Sequence, residues 1–598
     1  MNRNTSLIVI FLILLIAEVS SQSIVSLSYS QPYYLVYNSP FYSLIYQSEY
    51  VGPLNGSQVI YFAVVLNFTN FSSLMQTTNE ILNHVMGFMS PQQFREYYYP
   101  STSYINSVIS YMKSYGISFI GQYGLLLIFK GTVNEVENAF NTYINLYFYP
   151  TGEIFWFGEP GLLTFVPFYF YANNVTPSLP YNIGKHIIGI IGLNSIDPTI
   201  YPSLYNSNFQ LASNPLISNV TVTPSIIAQY FNFTKVYEEN KLGQGMSIGI
   251  IGEPESYVNS SDIYHFWNKF SIVPREGKLN VIVFGSNTSE GESAENEMDA
   301  EWAGVLAPDA NIYIVFSDGY VGGNKMIGNL LNYYYEFYYM INYINPDVLS
   351  VSVELPESFL AAYDPVMLYA INNLLIQAAD QGISVIAAAG DWGYESNFPP
   401  IDFMINVQNT IWFPASDPLV TSAGGIFVNV SSTGKVLNIS GWDYSTGGFS
   451  VVFYGQSYEM NSLIPGTLTL FRKYPDIAFV ADGGYNITEY GSGLPMIYNG
   501  STYYWFGTSG AAPMTAAMVV LSGHRLGSLN YIFYYISYSG EIDINGYEMQ
   551  GLPPWIPITS GYNPMPATYG WNYVTGIGTY NAYAMVYDLD LIYSVVYG

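Results

Sequence analysis

SAENEMDAEWAGVLAPDANIYIVF, residues Ser293 to Phe316, reads as a helix followed by a strand. The alternation continues on both sides of it. Strand-like runs recur at MSIGIIG from Met246, NVIVFG from Asn280, NIYIVFS from Asn311, DVLSVSV from Asp347 and ISVIAAAG from Ile383, with helical patterns between them at about 261–270, 293–306, 325–343 and 364–380. Strand and helix in alternation specify an α/β fold, a parallel sheet with helices on both faces. In such a sheet functional groups are expected at the carboxyl ends of the strands.

Upstream the pattern differs. Between Ser57 and about Phe148 come the strand-like VIYFAVVLNF, the helical SSLMQTTNEILNHVM, SPQQFREYY, a second helix SYINSVISYMKSYG, the alternating YGLLLIFKG and a last helical pattern TVNEVENAFNTYI, a small α+β unit. Residues 175–222, with many Pro, Asn and Ser around shorter apolar runs, read as a connector. The division expected is a leader at 1–22, an N-terminal domain at 23–180, a linker at 181–218 and a C-terminal domain at 219–598.

The leader carries Arg3 and the apolar run LIVIFLILLIA from Leu7 to Ala17, then small residues around Ser20 and Ser21, which is the pattern of a secretory signal. The run is shorter than the roughly 20 residues a spanning helix needs. The chain is therefore read as secreted, with no stable membrane span once the signal is removed. It has 598 residues, no cysteine and a formal charge of −28 at pH 7. The charge argues against nucleic acid or anionic lipid as partners, and the missing cysteines exclude disulfides and thiolate chemistry. Near pH 3 most of the 43 carboxylates would be protonated, so the composition suits an acidic environment.

FGTSGAAPMTAAM, Phe506 to Met518, has the look of a nucleophile at a helix N-terminus, where unpaired N–H groups can face a developing negative charge. A serine hydroxyl needs a base, most often histidine. The four histidines do not supply one: His84 and His186 lie upstream, His265 at a helix entry, and His524 roughly 22 Å beyond Ser509 along the same helix at 1.5 Å per residue. The His-Gly-Thr-His signature of subtilisin-type peptidases is absent. Glu295 and Asp299, four residues apart, share one face of the helix quoted first, whereas Glu297 points to the other side. A Glu that takes the serine proton, oriented by a second carboxyl one turn away, is a triad with its histidine replaced. Below about pH 5 an imidazole is already protonated, while a carboxylate still accepts a proton. Asp391, in SVIAAAGDWG, follows an apolar strand and if protonated could donate to an oxyanion.

Together these residues resemble the sedolisin family, the serine-carboxyl peptidases: Glu-x-x-x-Asp at Glu295 and Asp299, Ala-Gly-Asp at Asp391 and Gly-Thr-Ser-x-x-x-Pro at Ser509, in the family's order. The resemblance implies a subtilisin-like α/β fold and an acid-active serine-type endopeptidase with Ser509 as nucleophile, Glu295 as base, Asp299 as its orienter and Asp391 as oxyanion partner. SPQQFREYYYPSTSYINSVISYMKSYGISFIGQYGLLLIFKGTVNEVENAF looks like the family's activation domain, a ferredoxin-like pro-segment. A zymogen follows, its N-terminal domain an intramolecular inhibitor released in acid as interface carboxylates protonate and lose their partners, with cleavage in the linker. STGGFS, Ser445 to Ser450, resembles the glycine-rich segment along which peptide or protein substrates lie. The resemblance also implies one calcium ion, held by Asp543, Ile544, Thr568, Gly570 and Asn572, where Asn572 stands in place of an aspartate. Two departures touch the site: Phe506 where the family has Ser, and Val353 or Glu354 where a tryptophan often follows the strand. The competing readings are an inactive family member serving as a surface binding or scaffold protein, and an esterase using the same nucleophile. The sequence leaves internal cleavage against trimming from an end open.

Overall fold

The computed structural model describes residues 33–38, 45–150, 168–195, 221–254, 256–284, 291–317, 329–394, 411–461, 470–485, 493–539 and 553–596, with short strand segments at 153–155, 163–165, 320–321 and 324–325. The leader at 1–22 lies outside these residues. Among the described residues no helix is long and apolar enough to cross a membrane.

The N-terminal domain is built on β1 (Val59–Leu66), α1 (Phe71–Leu82), α2 (Pro91–Tyr98), α3 (Thr102–Ser114), β2 (Ser118–Tyr123), β3 (Leu126–Thr132), α4 (Val133–Phe140) and β4 (Ile187–Ile191). Local chemistry starts its helices. Ser90 and Gln93 form a capping box with Pro91 in the first turn of α2, and Thr132 with Glu135 does the same for α4. The strands pair antiparallel in the order β4–β1–β3–β2. Because β4 sits in this sheet, residues 181–195 belong to the domain and not to the linker read at 181–218. Its partner β1 lies more than a hundred residues earlier, a long-range pairing that local composition cannot reveal.

The C-terminal domain contains β5 (Ser247–Ile251), α5 (Ser260–Lys269), β6 (Leu279–Phe284), α6 (Ala294–Leu306), β7 (Asn311–Ser317), α7 (Asn329–Tyr339, prolonged by a π-helical turn Met340–Ile344), β8 (Val348–Val351), α8 (Pro365–Asp380), β9 (Ser384–Ala388), β10 (Val420–Val430), β11 (Val436–Gly441), β12 (Gly448–Tyr454), β13 (Ile477–Gly484) and α9 (Thr508–Val520). The main sheet runs β6–β7–β5–β8–β9–β10, with β13 parallel and β11 antiparallel to β10. It is the mostly parallel α/β sheet expected from the alternation. Its central strands β5, β8, β9 and β13 are buried on both faces and read as continuous apolar runs, while the edge strands β6 and β11 are partly exposed. One face is covered by α6 and α9, the other by α7 and α8.

The two domains share a core. Ala63, Val65, Leu126, Ile128 and Ile191 of the N-terminal sheet pack into the same apolar cluster as α7 and α8. The polar contacts across this interface are neutral or singly charged: Tyr99 Oη donates to Gln377 Oε1 at 2.9 Å, Arg95 Nη1 to Asn342 Oδ1 at 2.8 Å, and the Met89 N–H to the Asp380 carbonyl at 2.8 Å. Among the described residues no ion pair crosses it.

Candidate active site

Ser509 enters the site because of what surrounds it in sequence. Gly507 holds φ at +155°, a conformation that needs glycine, and α9 begins at Thr508. Pro513, lacking an N–H, leaves the Ser509 carbonyl without its usual intrahelical donor. The small residues after Ser509 let α9 run beneath the sheet with every residue buried. The helix stops at Val520, so His524 lies past its end, bound to Asp590 at 2.7 Å and stacked on Tyr593. His265 is on the exposed side of α5, and His84 and His186 belong to the N-terminal domain. No histidine stands at Ser509.

The carboxyls do. All thirteen residues of α6 are buried, so its acidic run is not a solvated face. Glu297 accepts the Asn259 N–H at 2.6 Å and Glu301 the Ile497 N–H at 3.1 Å, which assigns both a structural part. Glu295 and Asp299 face the Ser509 side. Burial pushes the Glu295 carboxyl well above the ordinary carboxylate range; Asp299 and Glu253 raise it further, Ser509 pulls it down as a hydrogen-bonding neighbour, and Asp391 adds a smaller upward push. The approach of Ser509 is looser than a formed bond, since neither Glu295 oxygen has a partner at hydrogen-bond geometry; such contacts tighten when substrate arrives. Burial also raises Asp299, against the donation of Ser352 Oγ to its Oδ1 at 3.0 Å. Two carboxyls this close share a proton, so the ionisation belongs to the pair.

Asp391 follows β9 and is tied to the residue preceding the nucleophile. Its Oδ1 accepts from the Thr508 N–H at 2.7 Å and from Thr508 Oγ1 at 2.8 Å, while Thr508 Oγ1 accepts the Gly390 N–H at 3.0 Å. The glycine-rich segment Ser445–Ser450 is pinned alongside: the Thr446 N–H donates to the Gly390 carbonyl and Thr446 Oγ1 accepts the Trp392 N–H, both at 2.9 Å. Farther along it, Ser450 Oγ donates to Glu357 at 2.8 Å.

Two further carboxyls complete the set, Glu253, which the sequence did not single out, and Glu354. Glu253, just past β5, acts on both Glu295 and Asp299; its Oε2 accepts from Ser293 Oγ at 2.8 Å and its N–H donates to Asn296 Oδ1 at 2.8 Å. Its place after a parallel strand was the available signal. Of the two residues at the expected tryptophan position, Val353 is buried in the core and Glu354 is the one beside the site. Burial raises the Glu354 carboxyl, Asp391 raises it further, and the Trp392 side chain lowers it by hydrogen bonding. Phe506 lies partly buried with its ring 6.5 Å from that of Trp442.

The candidate calcium ligands divide. Asp543 and Ile544 lie outside the described residues. In the remainder Asn572 Nδ2 donates to the carbonyls of Thr568 at 3.0 Å and Gly570 at 3.4 Å, and its Oδ1 accepts the N–H groups of Val574 and Thr575, both at 3.0 Å. An amide donor thus engages the carbonyl oxygens a cation would need, so this half does not fit calcium. Among the described residues no group of three or more His, Asp or Glu could hold a metal.

Residues 46–196 match the family described as Pro-kumamolisin, activation domain. Kumamolisin of Bacillus sp. (strain MN-32) is 26% identical over 481 residues, covering 76% of each chain. A probable tripeptidyl-peptidase SED4 of Arthroderma benhamiae is 26% identical over 568 residues, covering 83% of this chain and 84% of its own. These similarities support a serine-type peptidase of the sedolisin kind, with an N-terminal activation domain at 46–196. A solved structure of Pseudomonas sedolisin in complex with pseudo-iodotyrostatin aligns with a TM-score of 0.47 at 20% identity, covering 61% of this chain and 98% of the other.

Proposed function

We propose that the chain is a secreted, acid-active serine-carboxyl endopeptidase that cuts protein substrates through an acyl-enzyme on Ser509. Glu295 takes the Ser509 proton as the hydroxyl adds to the scissile carbonyl and returns it to the leaving amine; Asp299 orients Glu295 and shares its proton. Asp391, protonated, donates to the oxyanion beside the N–H groups at the start of α9. The N-terminal domain inhibits until the chain is cut between it and the catalytic domain. The reading is carried by one observation: the groups that act on Glu295 are Ser509, as its hydrogen-bonding neighbour, and the carboxyls Asp299, Glu253 and Asp391, with Glu295 and Asp299 one helical turn apart.

Acid operation is supported by the protein's other buried carboxyls. Burial pushes Glu357, Asp380, Glu459 and Asp588 to about 7 and Asp417 and Asp482 to about 6. Each folded-state pKa exceeds the unfolded value near 4, so the stability they contribute is fully present in acid and is lost as pH rises through 6 to 7. The apolar leader at 1–22 supports export.

The test is to hold the wild type, S509A and E295Q at pH 7 and at about pH 3, following chain length and digestion of a denatured protein. Wild type is expected to shorten and digest in acid while both variants stay intact and inert. An E295Q enzyme with wild-type rates would overturn the assignment of the base.

A further inference from the structure

β8 and β9 lie parallel with Val351 opposite Ala387, so the segments that follow them, residues 352–354 and 389–392, leave the sheet side by side at its carboxyl edge. The chain just beyond Glu354 is fixed as well, Leu355 pairing with Phe413 and Pro356 with Trp412. Between the buried Val353 and Leu355, Glu354 is half-buried and comes to the surface beside Asp391 and Trp392, which are themselves partly exposed. The glycine-rich segment 445–450 makes the third wall. Thr446 is hydrogen-bonded to Gly390 and Trp392, and Gly448 pairs with Tyr474, on whose hydroxyl Glu354 also acts.

The wall behind this corner is aromatic. The Trp392 ring lies 6.5 Å from that of Trp412, which packs so closely on Gly390 that no Cβ would fit there. Its charge is negative and has no counterpart. Burial raises the Glu354 carboxyl, Asp391 raises it further, and only the Trp392 side chain lowers it by hydrogen bonding. The charged groups on neighbouring elements are engaged elsewhere: Glu357 accepts from Ser450 and Val451, Arg472 Nη1 donates to Asp476 Oδ1 at 2.8 Å, and Lys473 lies by Glu459. Among the described residues no ion pair involves Glu354, and residues 395–410, which follow on from this corner, contain no Lys or Arg. A carboxyl held half out of water beside an indole face, with no cation of its own, suits a ligand that brings a positive charge on an apolar stem.

On the reading of Asp391 as the partner of the oxyanion, the side chain that lodges beside it belongs to the residue whose carbonyl is attacked. We propose that Glu354 makes the enzyme select a basic residue, lysine or arginine, on the amino side of the bond it cuts, the carboxylate meeting the cation and Trp392 the stem. The selection has a pH sign. In the free enzyme burial and Asp391 favour the protonated carboxyl, whereas a bound cation favours the ionised one, so the preference strengthens as pH rises and Glu354 gives up its proton.

The experiment compares kcat/KM for peptides identical except for Lys, Met or Glu at that position, using wild type, E354Q and E354K after incubation in acid, at pH 3 and pH 5, with the cut bond read by mass spectrometry. Wild type should prefer Lys over Met by at least about tenfold at pH 5 and by less at pH 3. In E354Q the two peptides should come within about threefold of each other, and E354K should reverse the order of Lys and Glu. The wild-type preference and its pH sign are read without any variant. A wild type that cuts but does not favour Lys, a preference that weakens from pH 3 to pH 5, or a Lys-to-Met ratio that E354Q leaves unchanged would overturn the assignment of Glu354 and leave the peptidase reading standing. A wild type that cuts none of the peptides and digests no denatured protein would sink the peptidase reading, and the selection with it.

Discussion

Glu295 with Asp299, and Asp380, are buried carboxyls on helices of one domain, yet they stand in opposite surroundings. At the head of α6 the carboxyls are gathered: Glu253, Asp299 and Asp391 raise Glu295, and Ser509 approaches it with a proton to give. At the tail of α8 burial raises Asp380 to about 7, and its hydrogen-bonding neighbour Thr78 lowers it. Burial raises the pKa in both places; the neighbours decide what the raised pKa does. A pair with a hydroxyl beside it can release one proton and still hold another, which is what a base with its orienter requires. A lone buried acid changes only the stability of the fold as it ionises. The same physics serves proton transfer in one region and the pH dependence of stability in the other.

The comparison breaks first at Ser509. S509A should lose on the order of 10⁴-fold or more in kcat, and the chain should keep its N-terminal domain in acid; self-cleavage by S509A would mean that another group attacks. D299N should cost about a hundredfold in kcat and, by removing a negative charge beside Glu295, move the acid limb of the pH profile to lower pH. E253Q should shift that limb the same way with a smaller loss of rate, because Glu253 raises Glu295 less than Asp299 does. A limb that stayed fixed in both would remove the gathered carboxyls from the account.

The smaller effects concern stability. The melting temperature of S509A should be higher at pH 4.5 than at pH 8 by at least about 5 °C, since a carboxyl raised by one unit contributes roughly 1.4 kcal/mol that is lost as it ionises. Calorimetry at the two pH values reads this directly, and a protein more stable at pH 8 would contradict the direction assigned to its buried carboxyls. Smallest of all should be the response to calcium. EDTA should move the melting temperature by no more than about 1 °C, well below the shift of a tightly bound ligand, because Asn572 already engages the Thr568 and Gly570 carbonyls; N572D, which exchanges that donor for a charge, should be the variant that gains calcium dependence.

Sequence reasoning reached what is locally periodic. The α8 helix was read at 364–380 and runs Pro365–Asp380, and Glu295 and Asp299 were legible because four-residue spacing fixes a helical face. The helix read at 325–343 begins only at Asn329 and ends in a π-helical turn. What was missed depends on distance along the chain. β4 hid among Pro and Asn because its partner β1 lies far upstream. Glu253 and Asp380 carry no motif: each is a single acid at the end of a strand or helix, and only packing shows that one faces Glu295 and one Thr78; Glu354 was named only as an alternative to Val353, and packing decides between them.

The central claim is that a carboxyl, not an imidazole, takes the proton of Ser509, and its most direct test is the pH dependence of kcat/KM for wild type and E295Q on one peptide substrate. The account predicts that the first ionisation of the Glu295–Asp299 pair, which leaves one shared proton, keeps wild type active below pH 5, where an unperturbed imidazole near 6.5 is protonated, and that E295Q falls by at least about a hundredfold at every pH. A profile that rises only through pH 6 to 7, or an E295Q enzyme within tenfold of wild type, would contradict it.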